Sequence, residues 1–413
     1  MKKICVFTGS RAEYGLLKSL MQQIDRDPDL QLQVLVSGMH LSPEFGLTFR
    51  EIEQDGFVID EKVELLLSSD SPIGLCKSTG LGLIGFGEAL QRLAPELLVV
   101  LGDRFETWAV CAAALFARIP IAHLHGGEAT EGAVDEAIRH GITKMSHLHF
   151  TATESYRRRV IQLGESPQRV FNVGAPGVEN IKKLALLDRS ALEAEIDFTF
   201  GRQNALVTFH PVTLETATAQ SQFGELLAVL AELPELHLIF TRANADTDGR
   251  IINRLIDDFV ARRPDTASVY SSLGQLRYLS AMRQVDVVVG NSSSGLIEAP
   301  SLGVPTVNIG ARQQGRERAA SVIDCAPEGQ AIRSALNKAL SKTFKNLAAT
   351  VDNPYDGFDT SLRIKEHIKK ADLPNTCKAF FDLPIDYLEQ IHAKRQENQC
   401  KPDDQHSGGA GNH

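Results

Sequence analysis

Cysteine is sparse and scattered: the six in 413 residues, Cys5, Cys76, Cys111, Cys325, Cys377 and Cys400, contain no C-x-x-C pair. That argues against a disulfide framework, and several of these thiols sit in apolar runs where they behave as small hydrophobes. A cytoplasmic, reducing setting is expected. Positive charge is also short, with a net charge of −9. No broad cationic surface is therefore available for nucleic acid or an anionic membrane, and any phosphate site must be local. No stretch approaches ~20 uninterrupted apolar residues, and Ile4 to Phe7 is too short for a signal peptide, so neither a membrane span nor export is expected. A repeat of fixed short period is missing as well, which argues against a solenoid.

What remains is an ordinary globular mixture, 43% apolar and 23% charged. The chain is too long for one core, and two domains of roughly 180 residues are the natural expectation. Short apolar runs alternate with helical patterns, the signature of parallel strands joined by crossover helices. Strands are predicted at Ile4 to Phe7, Leu32 to Val36, Leu97 to Leu101, Ile119 to His123, Leu148 to Thr151 and Val170 to Val173. After Gly174-Ala175-Pro176-Gly177 the pattern restarts at Ala205 to Phe209, His237 to Phe240, Ala267 to Tyr270, Val285 to Val289 and Thr306 to Ile309. The expected organisation is an α/β domain over 1–175 and a second over 176–360. A helical segment over 361–388 is expected to return to the first domain, followed by a flexible tail over 389–413. Ligands of open parallel sheets bind at the carboxyl ends of the strands, so the loops there should line a cleft between the domains.

The polar motifs fall on those loops. Thr8-Gly9-Ser10-Arg11-Ala12-Glu13-Tyr14 follows the first strand and sets a glycine turn and Arg11 before a helix, where phosphate can bind. It lacks the G-x-G-x-x-G spacing of a dinucleotide fingerprint. Gly102-Asp103-Arg104 places a carboxylate beside a guanidinium, which can serve as base and diphosphate clamp or simply as a structural pair. His123-Leu124-His125-Gly126-Gly127-Glu128, followed by Asp135-Glu136 and Arg139-His140, supplies several acid-base groups in one region. Zinc is not expected there: H-E-x-x-H is missing, and His123 and His125 are expected to point apart. In the second half, His210-Pro211-Val212-Thr213 and Thr241-Arg242-Ala243-Asn244 follow strands and read equally as turns or cleft contacts. Gly290-Asn291-Ser292-Ser293-Ser294, then a helix carrying Glu298, forms a candidate phosphate nest, with Arg312 and Arg316 adding cations.

As an ordered set from Thr8 to about Lys369, these motifs resemble the UDP-N-acetylglucosamine 2-epimerase family. The resemblance implies a GT-B-like fold of two Rossmann-type, doubly wound parallel-sheet domains with an interdomain cleft. Details are similar to the hydrolysing branch, which releases a free 2-epimerised sugar and UDP at the start of sialic or nonulosonic acid synthesis. Non-hydrolysing relatives usually carry glutamate where this chain has His125, in a His-x-Glu-Ala-Gly run. The family chemistry eliminates UDP with the C2 proton to give a 2-acetamidoglucal, then adds water.

The resemblance implies an acid-base set of Asp103, Glu128 and Asp135, with His210 assisting near the diphosphate. UDP-sugar contacts are expected from Arg11, Arg104, His125, Asn244, Ser292, Ser293, Glu298 and Arg312. It implies no metal or nicotinamide cofactor, and a homo-oligomer, dimer or tetramer, built through the first domain. Two other readings stay open: the same reaction on a UDP- or GDP-2,4-diacetamido-trideoxyhexose, and a retaining glycosyltransferase of the same fold. Which carboxylate takes the C2 proton is not fixed by the residues.

Overall fold

The computed structural model describes residues 1–67, 69, 71–130, 134–211, 219–243, 249–373 and 377–384. Two parallel sheets organise them. The first contains β1 (Lys2–Thr8), β2 (Leu30–Ser37), β3 (Glu61–Val63), β4 (Leu97–Leu101), β5 (Ile121–Leu124), β6 (Leu148–Thr151) and β7 (Val170–Asn172). The second contains β8 (Gln203–Thr208), β9 (Leu236–Thr241), β10 (Ala267–Tyr270), β11 (Val287–Gly290), β12 (Thr306–Ile309) and β13 (Val322–Cys325). Every pairing is parallel, as short apolar runs alternating with helices require.

Strand order is β3-β2-β1-β4-β5-β6-β7 in one sheet and β10-β9-β8-β11-β12-β13 in the other. Each order reverses direction once, between β1 and β4 and between β8 and β11. Such a reversal opens a crevice at the carboxyl ends, because successive crossover helices leave on opposite faces there. The fold is thus the expected GT-B-like pair of Rossmann-type sheets. Two strands escaped the sequence pattern, β3 and β13. Both are edges; in β3 only Val63 is buried, and no residue of β13 is.

Helices cover both faces of each sheet. Leu17, Leu20, Met21 and Ile24 on the helix Arg11–Asp25 pack with Ile4, Val6, Leu97 and Val99 in one core, and Ile364 and Ile368 of the helix Thr360–Lys370 join them. Lys365 and Lys369 of that last helix pair with Asp27 at 3.0 and 2.8 Å, fixing the late segment to the first sheet. The helix Pro176–Lys183 also leans on the first helix, where Asn180 donates to the Gly15 carbonyl at 3.0 Å. A small core of Ala152, Tyr156, Ala175, Val178, Ile297 and Tyr355 draws on both halves and forms the joint between them. Among the described residues no helix is long and apolar enough to cross a membrane.

Candidate functional site

Both strand-order reversals face one cavity of about 360 Å³ between the sheets. Its first wall is the loop after β1. Ser10 caps the helix Arg11–Asp25 by accepting from the Glu13 N–H at 3.4 Å, and Glu13 folds back to accept from the Gly9 N–H at 2.7 Å. The Ser10-x-x-Glu13 spacing is that of a capping box. Here the box does more than cap, because Glu13 is buried at the cavity and its Oε1 has no hydrogen-bond partner. Burial pushes this carboxyl up to about 7, Arg104 opposing and Glu106 and Asp103 adding to the rise. Arg11 lines the cavity too, but its guanidinium is engaged by Glu51 at 2.6 Å and by the Ser272 carbonyl at 3.0 Å. Arg11 therefore ties the first domain to the second.

The second wall is the loop after β4. Arg104 chelates the fully buried Glu106, Nε to Oε2 at 3.2 Å and Nη2 to Oε1 at 3.1 Å. Asp103 accepts from Nη2 of Arg139, a guanidinium only 1% exposed. Burial works to raise the Asp103 carboxyl, but Arg139 and Arg316 outweigh it and hold it below its usual range. Asp135 opens the helix Asp135–Met145 and lines the cavity beside Asp103. Arg139, one turn further, also donates to Glu136 at 2.8 Å and to the Glu128 carbonyl at 2.9 Å. The D-E-x-x-R-H spacing puts these groups on one side of a helix.

Behind this wall lies the His-Gly-Gly-Glu loop. Glu128 is 2% exposed and is not among the residues lining the cavity. Its Oε1 pairs with Nδ1 of His125, and its Oε2 accepts from Nη1 of Arg316 at 2.8 Å. Burial would raise the Glu128 carboxyl, yet Arg316, His125 and Arg139 together bring it down to about 2. His123 takes quite different partners, Gly102 O at 2.8 Å and Thr143 Oγ1 at 3.3 Å. Since the carbonyl can only accept, Nε2 of His123 carries the proton; burial drives this ring down to about 3, so it stays neutral. The expected divergence of His123 and His125 does not come from strand alternation, which would put residues two apart on one face. It arises because β5 ends at Leu124 and His125 turns to φ +65°.

The opposite wall belongs to the second domain. The His210 backbone is clamped by Asn291, whose side chain accepts from the His210 N–H at 2.7 Å and donates to its carbonyl at 2.8 Å. Arg312 donates to Asn291 O at 3.1 Å, beside Gln313 at 2.8 Å. His210, Ser292, Ser293, Glu298 and Arg312 all line the cavity. The helix expected to carry Glu298 is a single turn, Ser294–Ile297, with Glu298 as its C-cap and Pro300 just beyond. Burial pushes the Glu298 carboxyl up to about 7, and its Oε2 has no partner. Asn244 lies outside the described residues.

Sequence reasoning gave no individual role to Glu13, Glu136, Arg139 or Tyr278, although Glu136 and Arg139 stood in the cluster read as a supply of acid-base groups. The first three were signalled by the capping-box and helix-face spacings; Tyr278, whose hydroxyl meets Ser294 Oγ at 2.5 Å, carried no signal. Among the described residues no group of three His, Cys, Asp or Glu side chains could hold a metal ion.

Residues 22–369 match the family model described as UDP-N-acetylglucosamine 2-epimerase. A Campylobacter jejuni protein named GDP/UDP-N,N'-diacetylbacillosamine 2-epimerase (hydrolyzing) is 42% identical, over 83% of this chain and 89% of its own. The polysialic acid biosynthesis protein P7 of Escherichia coli is 40% identical, over 93% and 98%. The crystal structure of UDP-GlcNAc 2-epimerase from Neisseria meningitidis bound to UDP-GlcNAc superposes with a TM-score of 0.74 at 18% identity, over 90% of this chain and all of that one. The chain belongs to the UDP-N-acetylglucosamine 2-epimerase family, in its hydrolysing branch, and is a UDP-sugar 2-epimerase.

Proposed function

We propose that the protein converts UDP-N-acetylglucosamine and water to N-acetylmannosamine and UDP. The observation that carries this reading is one cavity faced from one side by Asp103, paired with the buried Arg139, and from the other by Arg312, Arg316 and the serines after β11. Acid-base groups near the ring carbons and cations near a departing diphosphate are what elimination demands. The C2 hydrogen is not adjacent to a carbonyl, so its loss depends on advanced C1–O cleavage, and that needs the leaving charge to be stabilised. Breaking C2–H and C1–O together gives the 2-acetamidoglucal and UDP. Water then adds as hydroxyl to C1 and proton to C2 from the other face. The sum is redox-neutral and calls for no nicotinamide.

In this reading Asp103, Glu128 and Asp135 form the acid-base set, with His210 near the leaving oxygen. Arg11, Arg104, His125, Asn244, Ser292, Ser293, Glu298 and Arg312 hold the UDP-sugar. We further propose a homo-oligomer built through the first domain, acting in the cytoplasm. The 42% identity to the Campylobacter jejuni relative favours a second reading, the same reaction on a nucleotide-linked 2,4-diacetamido-2,4,6-trideoxyhexose.

The test is incubation with each nucleotide sugar separately in deuterated water, without acceptor. UDP and N-acetylmannosamine deuterated at C2 support the first reading. Turnover of the diacetamido sugar alone moves the function to the second. Sugar transfer that requires an acceptor sinks both in favour of a glycosyltransferase.

A further inference from the structure

We propose that His125 takes the C2 proton, with Glu128 as the residue that positions it. The assignment rests on the epimerase reading above and redistributes the roles of two residues within it.

Glu128 is badly placed to meet a sugar. Both of its carboxylate oxygens are committed, one to Nδ1 of His125 and the other to Arg316 at 2.8 Å. To touch C2 it would have to abandon a buried cation, a costly step in a desolvated pair. What it does well from there is hold an imidazole. A carboxylate accepting from Nδ1–H fixes the tautomer and leaves the lone pair on Nε2.

Nε2 of His125 is the orphan in this arrangement. It is buried and has no hydrogen-bond partner. On the second-domain side Glu298, a cavity-lining carboxyl, feels His125 electrostatically, and its Oε2 is also without a partner. Buried polar atoms are almost always satisfied, so two electrostatically coupled orphans, one from each domain, point to a ligand that reaches both. The charged groups around the ring are Glu128 on its own loop, Arg316 from the loop after β12 and Glu298 from the single-turn helix.

The backbone adds an independent observation. His125 adopts φ +65°, a left-handed conformation that side chains other than glycine rarely take. Its N–H is held by the Phe150 carbonyl at 2.9 Å, continuing the β5–β6 ladder one residue past the strand. Gly127 follows at φ +78°, where a Cβ would collide with the Tyr156 carbonyl. The loop is thus fixed from both sides in a turn that delivers the ring towards the domain boundary.

The step balances. The Nε2 lone pair takes the proton from C2, the C2–H electron pair becomes the C1=C2 bond, and the C1–O pair leaves with UDP. The imidazolium formed keeps its Nδ1–H on the Glu128 carboxylate, which stabilises it as an aspartate does in a catalytic triad. It then releases the proton to solvent, and the hydration of the glycal proceeds as above.

The experiment compares wild type with His125→Gln, His125→Glu and Glu128→Gln, measuring kcat from pH 5 to 9 with the better of the two sugars, and UDP affinity by calorimetry. His125→Gln is expected to lose at least ~100-fold in kcat, the scale of a general base, while UDP affinity changes less than about threefold. His125→Glu should recover part of that loss and move the acidic limb of the profile towards the carboxylate range. Glu128→Gln should move the same limb downward, because the imidazolium loses its anion, an effect a purely structural role would not produce. Turnover by His125→Gln close to wild type, or an acidic limb unmoved in His125→Glu, overturns the assignment. Loss of UDP binding in both His125 variants would make His125 a binding residue and overturn it equally. A wild type inert towards both sugars would instead overturn the functional reading, and this assignment with it.

Discussion

Arg139 donates to the carboxylate of Asp103 from a guanidinium that is 1% exposed, and its other amino group reaches Glu136 at 2.8 Å. One cation thus fixes two carboxylates at the mouth of the helix Asp135–Met145. Its pair with Asp103 sits at the cavity, so stability and chemistry depend on the same contact.

Removing that cation should therefore damage both. Breaking a buried pair by deleting one partner costs about 3–5 kcal/mol, since the remaining charge stays desolvated. Arg139→Met is expected to lower the denaturation midpoint clearly and to abolish turnover. Asp103→Asn, which keeps a hydrogen-bonding group of the same shape, should fold and bind UDP while losing kcat at least ~100-fold. Calorimetric UDP titration and thermal melting separate the two. Loss of UDP affinity in a folded Asp103→Asn would make Asp103 a binding residue.

Glu13 predicts a pH dependence of stability. Burial raises its carboxyl from 4.5 to about 7, so between those values the folded protein holds a proton that the unfolded chain releases. The stabilisation from that proton is fully present below pH 4.5 and is lost as pH rises through about 7. The shift corresponds to something on the order of 3 kcal/mol. Glu13→Gln, which cannot ionise, should gain stability relative to wild type as pH goes from 5 to 8, measured by urea unfolding. A constant difference across that window would contradict the burial of an uncompensated carboxyl.

The sequence made much of this legible, for definable reasons. Leu97–Leu101 is an uninterrupted apolar run because neighbours cover it on every side, and its predicted bounds, like those of the equally buried Leu148–Thr151, match the observed strand. The edges β3 and β13 are half covered and carry no such run. The motif loops were readable because Gly-Asp-Arg and His-Gly-Gly-Glu follow strands directly, where a parallel fold puts its ligands. What could not be read were pairings across long stretches of chain. Arg316 meets Glu128 from the other domain, and only that contact reveals that the second Glu128 oxygen is already committed to a cation. The length of the helix before Glu298 was also hidden, because Pro300 ends it sooner than the serine-rich start suggested.

Gly274 offers a test of the contact between domains at Arg11. It adopts φ +69°, and a Cβ there would collide with Nη2 of Arg11. Gly274→Ala should therefore displace the guanidinium from the Ser272 carbonyl and strain the start of the helix Gly274–Gln284 by about 1 kcal/mol. If Arg11 holds the UDP portion, KM should rise several-fold with kcat little changed, the pattern of lost uniform binding. An unchanged KM would remove Arg11 from the substrate contacts.

The homo-oligomer proposed above would need an exposed apolar surface on the first domain. The helix Pro72–Leu93 exposes Ile73 by 70%, Leu81 by 47% and Ile84 by 66%, and the neighbouring helix Phe105–Phe116 ends in Phe116 at 78%. Isolated exposed apolar residues need no explanation, but a group of this kind on two packed helices is the surface we propose for the association. It lies on the first domain, and none of these four residues lines the cavity. The wild type should therefore migrate in light scattering at a multiple of the 45.2 kDa chain mass. Ile84→Asp combined with Phe116→Asp places two charges in that face and should yield monomers with their UDP affinity intact. Monomeric wild-type protein would refute the association. A double variant that stays oligomeric would move the interface elsewhere on the molecule.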